Sequence, residues 1–319
     1  ILKTVFYVLQ NLQHENVVPL IGCNSSGGGF AVFFDLPFST GDTLHHLLHA
    51  GGGSSVRAGE AGNLCDEGSA STLPPQGGYL VVGNTVADTS TDDAVAPLHT
   101  TASGCLDLAL QLVFAIEYVH ANQIVHGRLS SHSFYLCRGR STVRLLVGNT
   151  CRAVGMDGDA GDLGGSAPPK VGMQPQSMPS NHRWLPYDIL HGVQDPLQPP
   201  HFTTATDVYS YGILLWELFS ARTGGGEPYS ADFPTDDGLL AAVHADMCMP
   251  PIALGATAVA ASALDLITDV FAACTEPSPQ DRPWISNVAT MLLDLTPERW
   301  EKDKNQLEHV QNLGSREFG

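Results

Sequence analysis

Apolar positions in the first part of the chain predict one helix followed by two strands. Val5, Leu9 and Leu12 recur at helical spacing. Two mostly apolar runs follow, 17–21 and 30–36, and their length predicts a buried strand and then a second strand. The chain therefore opens with mixed helical and extended structure.

Later apolar positions predict a mainly helical second half. Between 106 and 120 they lie on one face of a helix, and 208–219 is apolar almost all round, which is typical of a helix buried within a domain. Short strands are predicted near 124, at 134–136 and at 143–147. Further helices are predicted near 239–244, 258–273 and 285–295. Strands early and helices late indicate an α+β protein.

Three stretches differ in composition from the rest. Residues 51–104 are rich in Gly, Ser, Thr and Asp, with one apolar patch at 79–82, and predict a flexible insertion. Residues 297–319 are polar and predict a frayed tail. The acidic run 155–165 lacks the terminal Glu of a calcium-binding EF-hand, and we interpret it as part of a mobile loop.

Net charge limits the classes of partner, and cysteine usage indicates the compartment. The chain has 33 acidic and 15 basic residues, a formal charge of −18, which repels phosphate backbones and makes nucleic acid an unexpected partner. The seven cysteines form no Cys-x-x-Cys pair, which indicates reduced thiols in an intracellular compartment. No apolar run approaches the roughly 18 to 20 residues of a membrane helix. We therefore expect a soluble chain and place any membrane tether outside it.

Six sequence blocks occur in the order found in protein kinases. The first, LQHENVVPLIG at 12–22, resembles the end of the regulatory helix and the next strand. It is followed by IVHGRLSSHSFYL, VRLLVGNTCR, HRWLPYDIL, TDVYSYGILLWEL and CTEPSPQDRP. The block at 206–218 resembles the central helix of the kinase C-lobe, and HRWLPYDIL resembles the Ala-Pro-Glu segment in its tyrosine-kinase form. By this resemblance the chain is identified as a tyrosine-kinase-like member of the protein kinase superfamily.

The resemblance implies an α+β, protein kinase-like fold with a truncated N-lobe, made of part of the regulatory helix and the following strands, and a complete, mainly α-helical C-lobe. The expected boundaries are 1–37 for the partial N-lobe, 38–50 for the hinge and first C-lobe helix, 51–104 for the insertion, 105–296 for the C-lobe and 297–319 for the tail. The glycine-rich loop and the strand lysine that hold ATP in kinases are absent from this sequence, and Val5 stands where the lysine's Glu partner belongs. We therefore expect no nucleotide cofactor.

The residues that transfer phosphate in kinases are replaced here. Active kinases carry His-Arg-Asp-Leu-x-x-x-Asn, whose Asp orients the substrate hydroxyl and whose Asn binds magnesium. Arg128 stands at that Asp, Ser133 at the Asn, and Ser130 at a Lys that contacts the transferred phosphate. Val147 stands at the Asp of Asp-Phe-Gly, and an apolar side chain cannot ligate magnesium. We expect a pseudokinase with no catalytic, cofactor-binding or metal-binding residues.

Residues with architectural roles in kinases are retained. The resemblance implies that Asp207 accepts backbone hydrogen bonds from the catalytic loop and that Asp188 pairs with Arg282. His126 is expected to be a core histidine that packs beneath that loop. Such a pattern is typical of a fold kept for binding.

Several degenerate kinase families share these features. The nearest resemblance is to Derailed/RYK-type receptors, on the Arg-Trp-Leu segment, the Leu-Pro at 36–37 and the insertion before the long helix. Integrin-linked kinase, an adaptor, is the runner-up on RLSSHS, and the kinase-homology domain of membrane guanylyl cyclases and an atypical active kinase are further alternatives. The receptor interpretation implies a cytoplasmic signalling scaffold or allosteric module with protein partners, in the intracellular part of a single-pass plasma-membrane receptor.

Overall fold

A computed structural model describes residues 10–26, 29–34, 43–49, 81–82, 102–137, 142–147, 152–153, 181–193, 202–220, 226–250, 252 and 261–294. The predicted first helix with Val5, most of the 51–104 insertion, the acidic run at 155–165 and the tail at 297–319 lie outside these residues.

The N-terminal part of the described chain forms a small sheet and one short helix. Its elements are β1 (Leu20–Ser26), β2 (Gly29–Phe34), α1 (Leu44–His49) and β3 (Val81–Val82). Strands β1 and β2 pair antiparallel, with Leu20 opposite Phe34, and β3 joins the other edge of β2 in parallel. The apolar patch at 79–82, inside the predicted insertion, thus contributes a strand to this sheet.

The rest of the described chain is mainly helical. Its elements are α2 (Ala102–Ala121), β4 (Ile124–Val125), β5 (Phe134–Leu136), β6 (Val143–Leu145), β7 (Arg152–Ala153), α3 (Tyr187–Val193), α4 (Thr204–Ser220), α5 (Asp236–Asp246), α6 (Ala261–Cys274) and α7 (Ile285–Leu293). β4 pairs with β7 and β5 with β6, both antiparallel. The types agree with the predictions where a prediction was made, although α2 begins at Ala102 rather than at 106, inside the predicted insertion; β7 and α3 were not predicted.

The predicted start of the strand at 17–21 was wrong. Val17 and Val18 are buried, but β1 begins only at Leu20, and the side chain of Ile21 is 61% exposed. The reason is that residues 16–18 bond to β6 instead: Val18 N–H donates to Leu145 O at 2.9 Å, and Leu145 N–H donates to Asn16 O at 2.8 Å. The first residues of the apolar run therefore bond to β6, and the later ones belong to β1.

Helix α4 lies in the middle of the helical part, as its all-round apolar pattern predicts. Most of its side chains are buried, among them Tyr211, Leu214 and Leu218. A Cβ built on Gly212 would lie 2.8 Å from both Cys274 Cβ and Thr275 Cγ2. Glycine at this position therefore lets α4 and the end of α6 approach closely.

Helix α2 packs against α4 and α7. Contrary to the prediction from sequence, its Gly104–Ala121 stretch is long and apolar enough to cross a membrane by length and composition, and it is the one such helix in the part of the chain that the structure describes. Leu108, Leu112 and Ile116 on this stretch are at most 1% exposed. Because these side chains are covered by other helices, α2 is a core helix.

Candidate functional site

The loop between β4 and β5 is tied to the start of α4 by one buried carboxylate. Asp207 is fully buried, and it accepts the backbone N–H of His126 at 2.8 Å and of Gly127 at 2.7 Å. His120 Nε2, on α2, lies 2.9 Å from the same carboxylate. A single acidic side chain thus fixes the loop backbone against two helices.

The backbone of Gly127 needs a glycine. Its φ is +72°, in the left-handed region that side chains rarely adopt, and a Cβ there would lie 3.2 Å from the ring of Phe202. Sequence analysis assigned no role to Gly127, although a glycine in a short loop between two strands is a signal of such a turn.

His126 is a buried histidine at the start of this loop. Its Nε2 lies 3.2 Å from Leu146 O, and its Nδ1 accepts the N–H of Arg128 at 3.3 Å. Burial lowers the pKa of His126, although the charge of Asp207 opposes this shift. The ring is therefore neutral at pH 7, as its acceptor role requires.

The side chain of Arg128 is half-buried at the position where kinases carry the catalytic Asp. Burial lowers its pKa from the usual arginine value, and among the described residues no carboxylate forms an ion pair with its guanidinium. Its carbonyl accepts the hydroxyl of Ser133 at 3.1 Å. The buried Ser130 accepts the N–H of Ser133 through its own carbonyl at 2.9 Å.

Val147 follows Leu146, the residue whose backbone bonds to this loop. Leu146 N–H donates to Ser133 O at 2.9 Å, and Val147 itself is 1% exposed and packs in the main hydrophobic core. Of the four positions that sequence analysis named, 128, 130 and 133 therefore lie on one hydrogen-bonded loop, and 147 directly follows the residue that bonds to this loop.

These side chains do not fit a magnesium-bound nucleotide. Magnesium needs oxygen ligands, which proteins supply mostly as carboxylates. Residues 124–137 and 142–147 contain no Asp or Glu, Ser133 offers only a neutral hydroxyl, and the side chain of Val147 offers only carbon. No step of phosphate transfer can therefore be derived from them.

Asp188 and Arg282 form an ion pair on the other side of α4. Arg282 Nη2 donates to Asp188 Oδ1 at 2.9 Å; the arginine side chain is 1% exposed and that of the aspartate 32%. The same guanidinium lies 5.1 Å from the ring centre of Tyr209. The pair joins α3 to the segment that leads into α7.

A second polar cluster, which sequence analysis missed, surrounds Glu217 at the far end of α4. Its buried carboxylate accepts Trp184 Nε1–H at 2.9 Å and Ser131 Oγ–H at 2.7 Å, and His49 Nε2 lies 2.7 Å away. Burial raises the pKa of Glu217, but hydrogen bonds from His45, His49 and Ser131 outweigh it and hold the pKa at about 2. Two sequence signals could have found this cluster: Glu217 is the one acid in the apolar run 208–219, and His45 and His49 are one helical turn apart.

Two imidazoles stack beside this cluster. His132 lies on His45 with ring centres 3.8 Å apart, and its ring edge faces Trp184 at 5.9 Å. The loss of water from the stacked ring, followed by the positive field of His45, lowers the pKa of His132 to about 4. His132 is therefore neutral at pH 7.

Comparison with known proteins points to one family over most of the chain. The family model for protein tyrosine and serine/threonine kinases matches residues 2–292. Platelet-derived growth factor receptor beta of Takifugu rubripes is 25% identical over 208 residues, 65% of this chain and 17% of that protein. The human receptor beta is 26% identical over 198 residues, 62% of this chain and 15% of that protein.

A third relative carries a name that describes inactivity. Inactive tyrosine-protein kinase 7 of Gallus gallus is 32% identical over 112 residues, which cover 35% of this chain and 9% of that protein. The matched region is thus at most 17% of the length of these three relatives.

Proposed function

The chain belongs to the protein tyrosine and serine/threonine kinase family, and we propose that it is a pseudokinase domain that serves as a signalling scaffold or allosteric binding module. The observation that carries this proposal is Arg128, which stands in an anchored loop at the position of the catalytic acid. A guanidinium stays protonated at every working pH and cannot accept the proton of a substrate hydroxyl.

Two further positions support the same proposal. Ser133 uses its hydroxyl on the Arg128 carbonyl, and Val147 buries an apolar side chain where the family places a magnesium-binding Asp. By contrast, Asp207 keeps the contacts that hold the loop. A retained framework without the acids that transfer phosphate supports a binding role, since function depends on the site rather than on the fold.

The names of the relatives suggest the kind of protein to which this domain belongs. Two of them are named as growth factor receptors and one as an inactive tyrosine kinase. We propose that this domain is the cytoplasmic part of a receptor and that it binds other proteins of a signalling complex. The finer resemblances, to Derailed/RYK-type receptors first and to integrin-linked kinase second, stay part of this proposal.

A phosphate-transfer assay tests the proposal. Purified chain is incubated with radiolabelled ATP and magnesium or manganese, alone and with generic protein and peptide substrates. We expect no transfer above that of heat-treated protein. The matched variant is Arg128→Ala: transfer that is present in the native chain and lost in Arg128→Ala would overturn the proposal.

A further inference from the structure

A groove lies between the start of α4 and the segment that leads into α7. Thr204 and Val208 line one side of it, and Pro279, Pro283 and Trp284 line the other. Its volume is about 240 Å³, which is less than the roughly 300 to 1,000 Å³ of pockets that enclose a small molecule. The groove therefore has room for one or two side chains of a peptide rather than for a whole small ligand.

The side chain of Trp284, which lines this groove, is exposed to solvent. Its exposed fraction is 71%, larger than the 66% of Met247 and the 61% of Ile21, the other exposed large apolar side chains of the described residues. Tryptophan is enriched among the residues that dominate the energy of protein–protein interfaces. The face of an indole also attracts a cation more strongly than other aromatic rings do. Trp284 therefore offers a platform for an Arg or Lys side chain.

The guanidinium of Arg282 connects the two sides of the groove. Its Nη1 donates to the carbonyl of Ala205, in the first turn of α4, at 3.1 Å, and its Nε donates to Glu276 O at 2.8 Å. Its Nη2 donates to Asp188 Oδ1 at 2.9 Å, and the arginine side chain is 1% exposed. Because the groove is held in place before binding, little conformational entropy is lost when a ligand enters it.

The charges around the groove favour a cationic ligand over an anionic one. Arg282 is the one Arg or Lys among the described residues between 202 and 294, and its charge is buried and paired with Asp188. Exposed Asp and Glu side chains recur in the same part of the chain, at 232, 237, 246, 269, 276, 281 and 294. Two of them, Glu276 and Asp281, belong to the segment that carries Trp284. Such a surface attracts basic partners and repels acidic ones.

We propose that this groove binds a basic, extended segment of a partner protein. An Arg or Lys of that segment lies over the indole of Trp284, and a neighbouring aliphatic side chain enters the groove. The attraction of the cation to the ring and its attraction to Glu276 and Asp281 act in the same direction. This inference rests on the proposed role of the domain as a binding module, for which it names one surface and the chemistry of its partner.

Fluorescence anisotropy with a fluorescein-labelled peptide in which Arg alternates with Leu tests the proposal. We expect saturable binding to the native chain, and no binding of a second peptide that has Glu in place of each Arg. Trp284→Ala should weaken binding of the Arg peptide by about 10-fold or more. Gln280→Lys should also weaken it, because this variant places a cation on an exposed residue of the groove.

Met247→Ala is the matched control, because Met247 is a similarly exposed apolar residue that does not line the groove. It should leave the affinity for the Arg peptide unchanged, whereas nonspecific attraction to the acidic surface would be equal in all variants. As a second readout, the Arg peptide should shift the indole N–H signal in the NMR spectrum that is missing from Trp284→Ala. The melting temperature of each variant checks that it is folded.

Three results would overturn this inference: no saturable binding of the Arg peptide, equal affinity in the native chain and Trp284→Ala, or equal binding of the Glu peptide. None of these results bears on phosphate transfer, so they leave the pseudokinase proposal in place. Conversely, transfer that depends on Arg128 would overturn that proposal without changing the affinity of the groove for the peptide.

Discussion

Arg282→Ala should destabilise the fold more than Asp188→Ala, although the two residues form one ion pair. The arginine side chain is 1% exposed and that of the aspartate 32%. Besides Asp188, the guanidinium donates to the carbonyls of Glu276 at 2.8 Å, Ala205 at 3.1 Å and Pro277 at 3.0 Å. The arginine is therefore the shared donor of a buried network, and the aspartate is one of four acceptors.

The magnitudes follow from this asymmetry. Removing one partner of a buried ion pair costs about 3 to 5 kcal/mol, and Arg282→Ala should reach this range because it also leaves three carbonyls without their donor. Asp188→Ala leaves the guanidinium its three carbonyl acceptors and access to some water, so we expect about 1 to 2 kcal/mol. Arg282→Lys should rescue only in part, since an ammonium lacks the planar fork that reaches all four acceptors.

A double-mutant cycle measures the pair. Urea unfolding of the native chain, both single variants and the double variant should give a coupling energy of about 1 to 2 kcal/mol. Asp232→Ala, which removes an exposed carboxylate, is the control and should change the free energy of unfolding by less than about 0.5 kcal/mol. Additive effects, with Arg282→Ala costing less than about 1 kcal/mol, would refute the reasoning.

Four further outcomes are expected. Asp207→Ala should lower the free energy of unfolding by more than about 3 kcal/mol in urea titration, because it leaves two buried N–H groups unpaired; a loss below about 1 kcal/mol would contradict this. Gly127→Ala should cost about 1 to 2 kcal/mol in the same assay for its positive φ alone, and an unchanged value would exclude the strain. Burial lowers the pKa of His126, so below about pH 6.5 the unfolded state binds more protons than the folded state and stability is lost as the pH falls. The free energy of unfolding of His126→Gln should therefore depend less steeply on pH below about pH 6.5. A pH dependence equal to that of the native chain would contradict this prediction. Millimolar Mg-ATP should give no saturable rise in the melting temperature, whereas a saturable rise would reveal a phosphate anchor.

Sequence patterns predicted most of the long helices, because buried apolar positions recur at a regular interval along a helix. The run at 208–219 is apolar on all faces, and only a helix covered on all sides satisfies that pattern. The role of Asp207 came from the family resemblance, and the structure supplies the donors that a buried acid requires. Pairing of Asp188 with Arg282, 94 positions apart, came from the family resemblance and not from spacing.

Features that depend on which distant segments meet could not be predicted in this way. Glu217 takes its partners from positions 168 and 86 residues away, His49 and Ser131, and no local period records such contacts. The start of β1 was predicted wrongly for a similar reason, because the N–H of Val18 donates to Leu145 O in another sheet. A run of apolar residues predicts burial but not the sheet to which each residue bonds.

The loop that carries Arg128 keeps its shape through groups that the substitution does not touch. Asp207 holds the backbone of His126 and Gly127, and the hydroxyl of Ser133 holds the Arg128 carbonyl, so none of these contacts uses the side chain at 128. An acid at that position is needed for proton transfer but not for folding. The framework and the chemistry of this site are therefore separable, and a chain under selection for binding can lose the second while every anchor of the first remains in place.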